Sequence, residues 1–546
     1  MKQFFLFSLL FVALIGQSQN FDAATIDRLD KQIEEYVEGL SPGMAVGMVE
    51  NGKIVYQNYI GYSNLEHQIA IDEKTSFNIA SNAKQFTALC ILQLVEQGKL
   101  SLEDDIRKFL PDLYKDVPQA ISIQHLLTHT SGIRDVYFLW GLKGRPWWKN
   151  FVDNDDAMGL IDLQADLNFA PGSEYSYSNS NYILLTEIVR KVTDQEFPDF
   201  FDALMAKLGM NNTNFLTNYM AVVPHKARPY SGWKKWRENP FVTETHGDGA
   251  LFTTLPDQLK WEQIIQKNDG TYLSQKLIDA SQLPIPNAAT EECGYGLMFD
   301  NYKGWKYSYH NGSTGSYRAA FLRFVDKNMS IVVISNNGNM APNQIAKQLV
   351  DIVLDWEDIP AHPAGPDEIE PLSNKQEVLG RYRNDNGQVI RIVEKDGLVF
   401  REMDGRDPVE LIQENGGLFQ YSHNRDLKMN FADIGKEEQA FTIYLSSQRP
   451  DTYRKIPTAD LASFDKDELN GHFYNEATDT KISIKFMDDN TYSVLRNDQE
   501  GEAELLFEDF LQMNSYEMKV VRDKDEKVIG LNLKNGIIKN VMFQRI

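Results

Sequence analysis

Residues 75–98 read TSFNIASNAKQFTALCILQLVEQG, and the rest of the chain is read outward from them. Ser81 and Lys84 stand three apart at the head of an almost continuous apolar run: Phe86, Ala88, Leu89, Cys90, Ile91, Leu92, Leu94 and Val95. Gly98 supplies a stop. A helix that is apolar on every side is normally buried. The pattern therefore predicts a core helix with Ser81 in its first turn and Lys84 one turn on, where i and i+3 share a face. A buried lysine loses hydration, which lowers its pKa and leaves part of it neutral. A serine beside a neutral amine is an activated nucleophile, and a helix N-terminus favours an anion forming there. Two further S-x-x-K matches, at 231–234 and 463–466, open no apolar helix and read as chance.

Composition narrows the field. The chain has 546 residues and a net charge of −23. This acidity argues against nucleic acid, which requires clustered Lys and Arg. The length suggests two to four domains at about 100–200 residues each. Residues 1–19 carry Lys2, then an apolar run from Phe4 to Ile15, then small and polar residues. That run is too short to span a bilayer and reads as a cleaved signal peptide. The expected mature protein is exported, periplasmic or secreted, with no membrane span. The two cysteines, Cys90 and Cys293, permit a disulfide that sequence alone does not decide. No C-x-x-C or H-E-x-x-H occurs, so no metal or other cofactor is expected.

In chain order, 24–40 shows an amphipathic helical pattern. Strands at 44–49 and 53–59 flank Asn51-Gly52, a hairpin signal. The stretch SIQHLLTHTSGI, residues 122–133, predicts a helix with His125 and His129 at i, i+4, read as structural and not as a metal site. An aromatic loop follows, with Tyr137, Phe138, Trp140, Trp147 and Trp148, which either walls a pocket or packs on the surface. Tyr177, Ser178 and Asn179 sit on a loop before an apolar helix at 182–189. A phenol whose pKa is lowered by a nearby ammonium can take and return a proton, and an amide can bind substrate and lysine. Thr254 is a candidate N-cap, with Pro256 in the first turn that follows. His310 is read as ending a strand, with Gly312 where a side chain would crowd a substrate. A helix at 344–356 closes this part.

Ser81-Asn82-Ala83-Lys84, Tyr177-Ser178-Asn179 and His310-Asn311-Gly312, in that order, together resemble the penicillin-recognising serine hydrolases: class C β-lactamases, DD-peptidases, D-aminopeptidases and β-lactamase-fold esterases. HLLTHTSG, PGSEYSYSNSNYILL, LGMNNT and GYGL at 294–297 strengthen the resemblance, which covers about 25–356. It implies an α+β fold, an antiparallel sheet flanked by helices with a helical lobe beside it. It also implies Ser81 as the acylated nucleophile, Lys84 as the group that prepares it, Tyr177 as general base, and Asn179, His310 and Gly312 on the substrate side. The backbone N–H groups of Ser81 and Ser313 match its oxyanion hole, whose donors are worth ~2.7–4 kcal/mol each. His310 stands where many members carry lysine. A histidine with an ordinary pKa carries only part of a charge at neutral pH, which disfavours efficient β-lactam turnover.

The expected activity is acyl-enzyme hydrolysis of amide or peptide bonds, with D-amino-acid-containing peptides or cell-wall fragments favoured. A carboxylesterase or β-lactamase on the same fold is the first alternative, and a non-catalytic penicillin-binding-like or surface binding protein the second. The expected partner is a small-molecule or peptide substrate, with a homodimer the one assembly considered. Beyond a proline-rich linker at 359–372 lies a repeat. EVLGRYRN at 377–384 resembles ELNGHFYN at 468–475, with Gly380 and Gly471 separated by 91 residues. Alternating short segments with Asx and Gly turns predict two small antiparallel β-barrel domains, at 373–460 and 461–546. They are similar to the lipocalin-like domains that some D-aminopeptidases append. The hydrolase unit is then 20–358.

Overall fold

The computed structural model describes residues 21–354 and 375–546, apart from 233–234, 240–241, 286–292, 385–387, 404–407, 416, 422–423, 432–433, 435–438, 446–447, 457–464, 489, 508 and 514–515. The expected signal segment and linker lie outside the described residues, as do Lys234 and Ser463 of the further S-x-x-K matches.

Alternation along one strand sets up the layers. Within Met44–Glu50, Met44, Val46 and Met48 pack with Leu29 and Ile33 of the helix Ala23–Glu34 and with Ile345 and Leu349 of the helix Pro342–Val353. Ala45 and Val49 point the other way, to Leu259 and Trp261 of the helix Leu255–Lys267. Gly47 lies under Leu259, where an added Cβ would come within 2.7 Å of Cδ2. The sheet runs Met298–Tyr302, Trp305–Thr314, Tyr317–Phe324, Met329–Ser335, Met44–Glu50, Lys53–Ile60, antiparallel throughout. Its Asn51-Gly52 turn has both residues at positive φ, as a tight two-residue hairpin requires. Pairing of residue 44 with 335 closes the unit. Beside the sheet lies a lobe of the helices Lys84–Glu96, Asn154–Asp162, Asn179–Thr193 and Phe197–Leu208.

Several expectations need correction. Ser81 does not begin the α-helix. It lies in a 3₁₀ turn, Ala80–Ala83, and the α-helix starts at Lys84. The cause is Ala80, held at φ +49 with its N–H bonded to Asn78 Oδ1 at 2.8 Å. The strand does not end at His310. It continues to Thr314, because Gly312 and Ser313 pair with Ala319 and Arg318. The His125 helix stops at Leu127, and His129 lies beyond it at φ +57, so the two histidines do not share a helix face. The first helix ends at Glu34, before the predicted 40. Both cysteines are free and buried.

The C-terminal third forms two closed eight-stranded antiparallel barrels. One runs from Gly380–Asn384 to Gln448–Lys455, and the other from Gly471–Asn475 to Val541–Arg545. The first is filled by its own side chains, including Tyr382, Phe419, Phe431, Phe441 and Tyr453. Among the described residues no helix is long and apolar enough to cross a membrane.

Candidate functional site

The site is built around one buried cation. Lys84 is 0 % exposed. Its Nζ donates to Ser81 Oγ at 3.3 Å, Asn179 Oδ1 at 2.8 Å and the Asp248 carbonyl at 2.7 Å. An ammonium has three donors, and all three find acceptors. Burial pushes its pKa down to about 8, against the pull of the Asp248 and Asp135 carboxylates. An amine with that pKa is neutral in roughly one molecule in ten at pH 7.

Tyr177 closes over this group. Its ring centre lies 4.9 Å from Lys84 Nζ, and its hydroxyl shares a hydrogen bond with Ser81. Burial raises the phenol pKa well above its ordinary value, with the Ser81 hydrogen bond acting the other way. The lowered phenol pKa considered from sequence is therefore absent: at neutral pH the phenol keeps its proton. Beneath the ring lies His129, its centroid 4.4 Å from that of Tyr177. Ser178 N donates to His129 Nδ1 at 3.1 Å, which leaves the ring proton on Nε2. Burial, with the Lys84 charge nearby, holds His129 well below its usual pKa. The second histidine of HLLTH thus supports the tyrosine loop.

On the opposite wall, the strand Trp305–Thr314 brings His310 to within 6.3 Å of Tyr177, centroid to centroid. Burial and the Lys84 charge push its pKa down to about 3. His310 is therefore neutral at pH 7, where the sequence reading allowed a partial charge. Its Nδ1 is 2.7 Å from Asn311 O and donates to it, so Nε2 carries the lone pair. Gly312 is needed for a different reason than the one read from sequence. A Cβ there would stand 2.1 Å from Ile79 O, so what it would crowd is the turn that carries Ser81. Asn82 ties the same two elements together when its amide is oriented to satisfy both neighbours: Nδ2 donates to His310 O at 2.8 Å and Oδ1 accepts from Gly312 N at 3.2 Å.

Two carboxylates escaped the sequence reading. Asp135 Oδ2 accepts from Asn179 N at 2.6 Å and Nδ2 at 2.7 Å, while Oδ1 caps the helix Val136–Leu142 through Tyr137 N and Phe138 N. Asp248 Oδ2 accepts from the Tyr137 hydroxyl at 2.8 Å. Both are buried, and burial raises both pKa values. The available signals were an Asp at an N-cap position in SGIRDVY and an Asp between glycines in HGDGA. Neither spacing points to Lys84, which is 51 residues or more away. In the aromatic loop, Tyr137 and Trp140 pack into the core while Trp148 stays exposed. Among the described residues no group of three or more His, Cys, Asp or Glu is placed to hold a metal.

With this geometry in place, residues 29–354, more than half of the chain, match the protein family described as Beta-lactamase. The chain belongs to the Beta-lactamase family. Among its relatives is a Bacillus subtilis protein named penicillin-binding protein 4*, 25 % identical over 423 residues, covering 72 % of this chain and 93 % of the relative. A D-aminopeptidase of Gluconobacter oxydans is 27 % identical over 336 residues, 59 % of this chain. The alignment spans 61 % of that D-aminopeptidase's own length. Among solved structures, an octameric penicillin-binding protein homologue from Pyrococcus abyssi superposes with a TM-score of 0.55 at 22 % identity, covering 79 % of this chain and all of the other. At that identity the likeness shows the fold. This Beta-lactamase-family chain is a serine hydrolase in type, with two closed β-barrels following its family domain.

Proposed function

We propose that the protein is an exported serine hydrolase that works through an acyl-enzyme on amide or peptide bonds, with D-amino-acid-containing peptides or cell-wall fragments as its substrates. The observation that carries this reading is Lys84 Nζ, fully buried and shared among Ser81 Oγ, Asn179 Oδ1 and Asp248 O. In its neutral form Lys84 accepts the Ser81 proton as Oγ attacks the substrate carbonyl. The Tyr177 phenol, which touches Ser81, carries a proton to the leaving amine, and after departure the same pair activates water. Ser81 N–H and Ser313 N–H take the developing oxyanion. Asn179 holds the substrate amide and the lysine together.

The substrate preference follows from His310. A neutral imidazole with its lone pair on Nε2 accepts a hydrogen bond from a substrate N–H and gives no fixed charge to a carboxylate. That favours substrates presenting an amine or amide over β-lactams, which present a carboxylate. The kinship with D-aminopeptidases points the same way. Export rests on residues 1–19, and periplasmic or secreted placement follows from it.

The test is a panel of D-amino-acid anilides, muropeptides, nitrophenyl esters and nitrocefin, run on the mature protein and on Ser81→Ala. The D-anilides and muropeptides are expected to turn over fastest. Ser81→Ala is expected to abolish both turnover and labelling by a fluorophosphonate. Labelling that persists in Ser81→Ala removes the mechanism. Faster turnover of esters or nitrocefin moves the protein to an esterase or β-lactamase. Mass spectrometry of the exported chain checks removal of the leader.

A further inference from the structure

Behind Tyr177 and Asn179, a further set of supporting contacts comes from a part of the chain outside the family match. The strands Val528–Lys534 and Val541–Arg545 of the second barrel are joined by residues 535–540. The loop is stiffened from within: Asn535 Oδ1 accepts from Ile537 N and Ile538 N at 2.9 and 2.8 Å. Ile538 is fully buried, in the same apolar cluster as the hydrolase core.

Its polar groups meet three buried hydrolase side chains. Ile537 O accepts from Asn168 Nδ2 and from Ser176 Oγ, each at 3.0 Å. Asn168 Oδ1 accepts from Lys539 N at 2.6 Å, and Asn168 O accepts from Asn540 Nδ2 at 3.0 Å. Arg134, 2 % exposed, donates through Nε to Lys539 O at 3.1 Å and through Nη2 to Asn540 O at 3.0 Å. Its remaining nitrogen Nη1 reaches Asp166 Oδ1 at 2.7 Å. Ser176 and Asn168 are buried as well.

Two of these residues adjoin the site in sequence. Ser176 precedes Tyr177. Arg134 precedes Asp135, which binds both nitrogens of Asn179, and Arg134 O accepts from Ser180 Oγ at 2.6 Å. Without the loop, the Asn168 amide and the Ser176 hydroxyl would lose these partners and the Arg134 guanidinium would keep only Asp166. A loop displaced by about 1 Å can cost on the order of a hundred-fold in rate.

We propose that the 535–540 loop of the second barrel is a positioning element of the Ser81 site: through Asn168, Ser176 and Arg134 it holds the 168–180 segment so that the Tyr177 phenol and the Asn179 amide meet Ser81 and Lys84. This rests on the hydrolase reading above. The second barrel is then part of the catalytic assembly, and Asn168, Ser176 and Arg134 are positioning residues.

The experiment uses the full chain. Asn168→Ala and Ser176→Ala each remove a donor to Ile537 O. Each is expected to lower kcat roughly ten-fold, with KM changing less than about two-fold. Because both act through one carbonyl, the double variant is expected to fall short of the product of the singles. Ser176→Thr keeps the hydroxyl and is expected to restore kcat. Glu174→Ala, which removes an exposed partner of Lys539 Nζ, is expected to stay near the wild-type rate. Should Asn168→Ala fail to fold, Ser176→Ala changes one atom and remains assayable. Hydrogen exchange gives a readout independent of turnover. Amides of 174–182 are expected to exchange faster in both variants, with those of Lys84–Glu96 unchanged. A lower Tm with unchanged kcat and unchanged exchange at 174–182, or multiplicative effects in the double variant, overturns the proposal. Failure of the wild type to turn over any substrate or to label at Ser81 would count against the hydrolase reading instead.

Discussion

In the proposed mechanism Lys84 is the residue on which the chemistry depends. Its ammonium is fully buried, yet each of its three donors has an acceptor, so it can be held in the protein at a pKa near neutrality. The sign of the pH dependence follows. If neutral Lys84 takes the Ser81 proton, kcat/KM rises with pH and levels off above about 8. His310, pushed down to about 3, stays neutral above that and contributes no inflection near 6.5. A pH–rate profile on a D-amino-acid anilide checks both statements, and a dominant limb near 6.5 would contradict the second. Lys84→Met is expected to lower the rate of Ser81 labelling by about 10²–10⁴-fold. Ser81 and Lys84 were legible because their spacing and the apolar run are local. Asp135 and Asp248 were not, because they reach Lys84 and Asn179 only through tertiary contacts. The neutral state of His310 and the protonated state of Tyr177 were hidden for a related reason: burial sets them, and burial is not local.

Two elements meet edge-on at the site: the 3₁₀ turn Ala80–Ala83 and the strand Trp305–Thr314. Ala80 sits at φ +49, a conformation that costs a non-glycine residue about 1–3 kcal/mol. The Asn78 side chain holds it there. Gly312 sets how closely they approach. Gly312→Ala puts a methyl 2.1 Å from Ile79 O, so the strand or the turn must shift. Overpacking of this kind costs about 1–3 kcal/mol. A lower Tm by calorimetry is expected, together with slower labelling of Ser81, because the shifted turn carries the proposed nucleophile. The sequence located both segments but ended the strand four residues early, since glycine and serine read as a break. The neighbouring strand Tyr317–Phe324 supplies the pairing that keeps them extended.

At the scale of the molecule the two barrels differ. The second shares one apolar cluster with the hydrolase unit, running from Ala45 to Phe543, and anchors its 535–540 loop there. The first has an apolar core of its own and meets the second through ion pairs, the exposed Arg381–Glu504 and Arg383–Glu517, whose carboxylate is buried, among them. The exposed pair couples the barrels weakly, and among the described residues the first barrel's apolar cluster is separate from the one the second barrel shares with the hydrolase unit. The hydrolase unit and the second barrel are therefore expected to unfold together, and the first barrel separately. Denaturant-dependent hydrogen exchange checks this. Peptides from 389–402 should open in a different step from those of 84–96 and 528–545, and a single common step would show that the first barrel is part of the same cooperative unit. By itself the sequence determined the family resemblance, the order of elements, the repeat of two barrels and the three polar motifs, because periodicity, turn chemistry and i, i+3 spacing all act within a few residues. Only the tertiary structure decided which groups are charged, why Gly312 must be glycine, which carboxylates stand beside Lys84, and which barrel reaches the site. Those properties depend on desolvation and on hydrogen bonds between residues as much as 406 positions apart, and no local pattern encodes them.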